Sequence, residues 1–149
     1  MILDFNTLSS KYNFNIKGII HIGGHYGQEY DMYKNLNVPI LFFEPLSNNF
    51  QHLQNKVKGD PNVITYQCAL GNENKLVTMN VEVANQGQSS SILKPKNHLN
   101  IHPWCTFEEK LFIKCFFTFI RIAYILSLQS CDMFHCTIIK CKNFFSFIR

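Results

Sequence analysis

Gly23, Gly24, Gly27 and Glu44 are the residues of this chain whose types and spacing could do chemistry. The glycines follow a short apolar run, Ile19-Ile20-His21-Ile22, inside the stretch KGIIHIGGHYG at residues 17–27, and precede a segment of helical character. Strand, glycine turn and helix in that order make a nucleotide-binding βα unit, whose turn leaves backbone N–H groups facing a ligand. Glycine is needed there because a Cβ would block close approach or forbid positive φ. Glu44 ends the next apolar run, Ile40-Leu41-Phe42-Phe43, and lies 21 residues after Gly23. A carboxylate about 20 residues on, at the tip of the second strand, is placed to reach ribose hydroxyls.

The same stretch meets neither of the common phosphate-binding motifs, which argues against an NAD-type nucleotide-binding protein but leaves it as the alternative. A dinucleotide fingerprint needs G-x-G-x-x-G, and His25 stands where its second glycine belongs. A Walker loop needs G-K-[ST], and Gly27 is followed by Gln28-Glu29. A glycine turn with a ribose acid but no diphosphate cradle suits S-adenosylmethionine, whose polar ends are an amino acid and a ribose. His21 and His25 could serve as a base, but a lone histidine near a turn is more often a hydrogen-bonding structural residue. The polar stretch around Gln86-Gly87-Gln88-Ser89-Ser90-Ser91 reads as a loop, with a substrate-side lid as its alternative.

Positioning these residues requires a sheet with helices on it. Leu8 and Tyr12 mark a leading helix within residues 1–16, and Tyr30, Tyr33 and Leu36 mark one over 28–36 that Pro39 stops. The run at 40–44 is nearly all apolar, as a strand buried on both faces should be, and Pro45 ends it. Phe50, Leu53 and Val57 predict a helix over 49–58, capped by Ser47 or Asn48. Residues 63–70, VITYQCAL, and 75–83, KLVTMNVEV, read as strands; Gly71-Asn72-Glu73-Asn74 between them is hairpin chemistry and predicts an antiparallel pair.

At 149 residues the chain is long enough for one domain, yet its character changes near residue 110. Residues 1–110 hold nine lysines against nine acids, so the formal charge of +4 belongs to residues 111–149 and nucleic-acid binding is not expected of the leading part. Every glycine and proline lies before residue 104, while residues 111–149 carry eight phenylalanines and four of the six cysteines. Residues 1–110 are therefore read as an α/β cofactor-binding domain and 111–149 as an atypical hydrophobic tail. Residues 111–128 are just long enough to span a bilayer, but Arg121 at the centre costs about 2.5–3.5 kcal/mol and makes insertion marginal. A buried helix and a translated out-of-frame segment are the other two readings. CxxxxC spacing in the tail does not suit zinc, and the opening residues hold no secretory signal, which predicts a reduced, cytoplasmic protein.

IIHIGGHYGQEYDMY, LFFEPLSNNFQHL, VITYQCALGNENKLVTMNV and NQGQSSSIL, in this order, resemble the FkbM-type S-adenosylmethionine-dependent methyltransferases over roughly residues 16–109. The resemblance implies a Rossmann-like class I methyltransferase sheet and methylation of a hydroxyl oxygen on a small-molecule or glycan acceptor. It implies that Gly23, Gly24 and Gly27 form the cofactor turn, that Glu44 binds the ribose and that Cys68 and Ala69 line the adenine pocket. His21 stands where the family commonly has an acid. The family's later segment, a strand ending in an acid and a K-x-D-x-E-G-like stretch, is absent, so the expected sheet is incomplete and loss of activity with it is part of the reading.

Overall fold

The computed structural model describes residues 5–12, 16–71, 75–95, 97–116 and 137–141. Helix α1 (Phe5–Tyr12) leads into strand β1 (Ile19–Ile22), helix α2 (Tyr30–Tyr33), strand β2 (Ile40–Phe43), helix α3 (Ser47–Val57) and strand β3 (Val63–Tyr66). After them come β4 (Ala69–Leu70), β5 (Lys75–Glu82), α4 (Asn97–Ile101), β6 (Phe107–Phe116) and β7 (Thr137–Cys141).

Two sheets form among the described residues. One has the order β3-β2-β1-β7, parallel throughout, with β1 and β2 in register from Ile19 opposite Ile40 to Ile22 opposite Phe43. The other has the order β4-β6-β5. The chain is thus a mixed α/β protein built on a parallel sheet.

Alternation along the strands explains why that sheet is buried on both sides. Ile19, Ile40 and Phe42 face the helices and pack with Tyr33, Phe50, Leu53 and Val57. Their neighbours Ile20, Leu41 and Phe43 point the other way and pack with Cys68. The stripe predicted for α3 is the buried one, although the helix starts at Ser47 and its N-cap is Leu46, which makes no side-chain cap bond.

Two expectations need correction. The helix over 28–36 is one α turn, α2, followed by a 3-10 turn at Lys34–Leu36, because Asn37 turns left-handed at φ 51° and Pro39 follows. So short a helix presents no dipole of consequence to the glycine turn. The hairpin between the third and fourth strands does not form. β3 instead extends the parallel ladder of β2, and β5 pairs antiparallel with β6 from Lys75 opposite Cys115 to Glu82 opposite Phe107. That long ladder satisfies more backbone groups than a hairpin closed on the short 63–66 segment would. Strand β6 runs across residue 110, and β7 pairs with β1. The apolar run at 111–128 accordingly begins as strand up to Phe116, and its remainder lies outside the described residues. Among the described residues no helix is long and apolar enough to cross a membrane.

The helix-side layer gives one pH prediction. Burial pushes the Tyr33 phenol up to about 12, with Glu29 adding to the shift. The unfolded chain ionises this group near 10 while the folded chain resists, so stability is whole below about pH 10 and is lost as the pH climbs through about 12, by roughly 3 kcal/mol in all. Tyr33→Phe should therefore lose less stability than the parent between about pH 9 and 11.5 in denaturant titrations. Equal losses would contradict the assignment.

Candidate functional site

The glycine turn sits where β1 ends, between β2 on one side and β7 on the other. In open parallel sheets, ligands bind outside the carboxyl ends of the strands where the strand order reverses direction, and the carboxyl end of β1, between β2 and β7, is such a place here. Gly23 and Gly24 both donate their N–H groups to the Phe43 carbonyl, at 2.8 and 3.0 Å, so the turn is stitched to the end of β2. Gly27 N–H goes to the Gly24 carbonyl at 2.7 Å. These donors are used within the turn and do not form a diphosphate cradle. Gly23 is exposed, left-handed at φ 78°, and a Cβ there would meet nothing within 4 Å, so its outer side is open to a ligand.

Glu44 closes on this turn. Its Oε2 accepts the His25 N–H at 2.8 Å and its Oε1 accepts the Leu46 N–H at 2.9 Å, and the Asn49 side chain also bonds to it. Only 4% of the residue is exposed. Burial pushes its carboxyl above the usual carboxylate range, against the opposing pull of the Leu46 and His25 N–H donors. A carboxylate offers about four acceptor positions, so three are occupied by the chain and one is left for a ligand hydroxyl.

His25 joins the turn to the loop at residues 84–91. It is left-handed at φ 48°, its Nε2–H donates to the Gln86 carbonyl at 2.8 Å, and its Nδ1 accepts from Gln28 Nε2 at 2.8 Å. Both ring nitrogens are thereby engaged, and the imidazole has no free lone pair with which to act as a base. The ring lies 4.1 Å from Tyr26, which in turn lies 4.6 Å from His52, centroid to centroid.

Of the residues marked in the sequence, Gly23, Gly24, Gly27 and Glu44 come together. Cys68 packs in the sheet layer away from α3, and Ala69 pairs with Cys115 in the second sheet and packs against Leu46 and Met79. Both lie just past Tyr66, whose carbonyl accepts the Glu44 and Cys68 N–H groups at 3.1 and 3.0 Å. His21 is buried on the helix side, 3.3 Å from the Tyr33 hydroxyl and 4.0 Å from Glu29, rather than at the mouth of the turn.

Three contributors were not singled out from the sequence. Asn49 is a buried polar residue four positions before Leu53, and a polar residue on the apolar stripe of α3 was the signal that could have found it. Leu46 acts through its backbone and leaves no such signal. Glu82, 1% exposed, shapes the loop by accepting the Ala84 N–H at 2.6 Å and the Asn85 N–H at 2.7 Å.

Fold and site together define a mixed α/β protein with a carboxylate clasped to a glycine turn at the carboxyl ends of its parallel strands. Compared with known proteins, the chain matches no family model, no curated protein and no solved structure.

Proposed function

We propose that this chain binds S-adenosylmethionine at the carboxyl ends of β1 and β2, in the manner of the FkbM-type methyltransferases, and serves methylation of a hydroxyl on a small-molecule or glycan acceptor. The observation that carries the reading is the Glu44 carboxylate fixed on the glycine turn, 2.8 Å from the His25 N–H, beside the open outer side of Gly23. A nucleoside fits this arrangement better than a dinucleotide, because the N–H groups of Gly23 and Gly24 are both spent on the Phe43 carbonyl.

When bound, S-adenosylmethionine supplies an electrophilic methyl group for in-line transfer to oxygen. The chain's part is to hold and orient. Glu44 accepts from a ribose hydroxyl at its remaining acceptor position, and the left-handed Gly23 lets the ligand approach the backbone without a Cβ in the way. The acceptor's proton does not go to His25 in this conformation, since Nδ1 is already accepting from Gln28.

The purified full chain should gain several degrees of thermal stability from S-adenosylhomocysteine, corresponding to about 2.7 kcal/mol at 100 times the dissociation constant. NAD should give no gain. A folded chain that ignores millimolar S-adenosylhomocysteine, or responds equally to NAD, overturns the proposal. A gain without methyl transfer to any hydroxyl acceptor leaves the binding and removes the transferase.

A further inference from the structure

The loop at residues 84–91 rests on the same three residues that hold the Glu44 carboxylate. His25 gives its backbone N–H to Glu44 and its ring N–H to the Gln86 carbonyl. Leu46 and Asn49, the other two donors to Glu44, are what a Cβ at Gly87 would meet, at 3.0 and 3.4 Å. The loop therefore lies over the carboxylate's own support, and Glu44 is almost wholly buried.

The loop also has the construction of a unit that moves as one piece. Its internal bonds run from Gln88 N–H to Asn85 and from Ser90 N–H to Gly87, and it is rooted at both ends, at Glu82 through the Ala84 and Asn85 N–H groups and on β5 through the Ser90 hydroxyl, which accepts the Glu82 N–H, and Ser91, which pairs with Asn80. The contact between loop and turn joins two non-glycine residues in left-handed backbone, His25 at φ 48° and Gln86 at φ 56°. Non-glycine residues hold such conformations only where their surroundings impose them, and such positions gather at clamps and switches.

We propose that residues 84–91 form a lid over the Glu44 end of the site, latched shut by the His25 imidazole on the Gln86 carbonyl. The lid must lift before a ribose hydroxyl reaches the carboxylate. The ligand in this statement rests on the nucleoside reading above, whereas the latch does not.

Hydrogen exchange on the full chain, with and without S-adenosylhomocysteine, tests both parts. His25→Asn tolerates the left-handed backbone and keeps the N–H to Glu44, but its side chain is too short to reach Gln86. Amides of residues 86–90 should exchange about three- to tenfold faster in this variant, the effect of losing one exposed hydrogen bond, while those of Ser91, β1 and β2 stay protected. Gln28→Ala, which removes only the partner of Nδ1, should leave the loop unchanged. S-adenosylhomocysteine should associate several-fold faster with His25→Asn than with the parent. Unchanged loop exchange in His25→Asn, or equal acceleration in Gln28→Ala, overturns the latch. Faster exchange with an unchanged association rate overturns the lid. Binding to neither protein sinks the nucleoside reading, and the exchange result then decides the latch by itself.

Discussion

Glu44→Ala is expected to destabilise the chain by about 2–4 kcal/mol, because it strands the His25 and Leu46 N–H groups, each worth roughly 1–3 kcal/mol when left without an acceptor in a buried place. The Leu46 bond is buried and the His25 bond partly so, so water does not replace the lost oxygens freely. Glu44→Gln should lie between the two proteins: its carbonyl oxygen serves one N–H while its NH2 opposes the other. Denaturant midpoints measured at unchanged slope decide it. A loss below about 0.5 kcal/mol for Glu44→Ala would mean a solvated strand end, the ordinary fate of a surface acid.

The second large effect lies beneath the turn. Leu53 is fully buried, and its two methyl groups lie under Gly24 and Gly27: a Cβ at Gly27 would come within 2.8 Å of Cδ1, and one at Gly24 within 3.1 Å of Cδ2. Leu53→Ala should cost about 2–5 kcal/mol as a core truncation. Gly27→Ala should cost about 2–4 kcal/mol, part from its left-handed φ of 73° and part from overpacking against Leu53. The overpacking part disappears when Leu53 is already alanine. The double variant should therefore be more stable than the sum of the single losses predicts, by at least about 1 kcal/mol. Strict additivity would mean that the turn does not rest on Leu53.

These two residues show what was legible in the sequence. Leu53 belongs to a period of three and four that a helix on a sheet must have, and Glu44 follows an apolar run closed by proline, so both were found from local pattern. The glycine turn was legible for the same reason. The partner of β5 was not, because pairing between segments some thirty residues apart leaves no local mark, and the glycine-containing connection after Leu70 spoke for a hairpin. The composition changes near residue 110 and β6 runs across it, a backbone ladder needing N–H and C=O groups rather than a given composition. The bond from His25 to Gln86 joins residues 61 apart through a main-chain carbonyl. A side chain that binds backbone leaves nothing to read at the other end.

The place of Cys68 and Ala69 beside an adenine came from resemblance and not from local pattern. In the structure Cys68 packs with Ile20, Leu41 and Phe43 and shares the Tyr66 carbonyl with Glu44, while Ala69 packs against Leu46, whose N–H bonds the Glu44 carboxylate.

The most direct measurement is calorimetric titration of the full chain with S-adenosylhomocysteine and with its 2′,3′-dideoxy analogue. If Glu44 grips the ribose, the parent ligand binds and the analogue binds about 10- to 100-fold more weakly, the loss of a hydrogen bond to a charged acceptor. Equal affinity for the two, or heat from neither, contradicts the account.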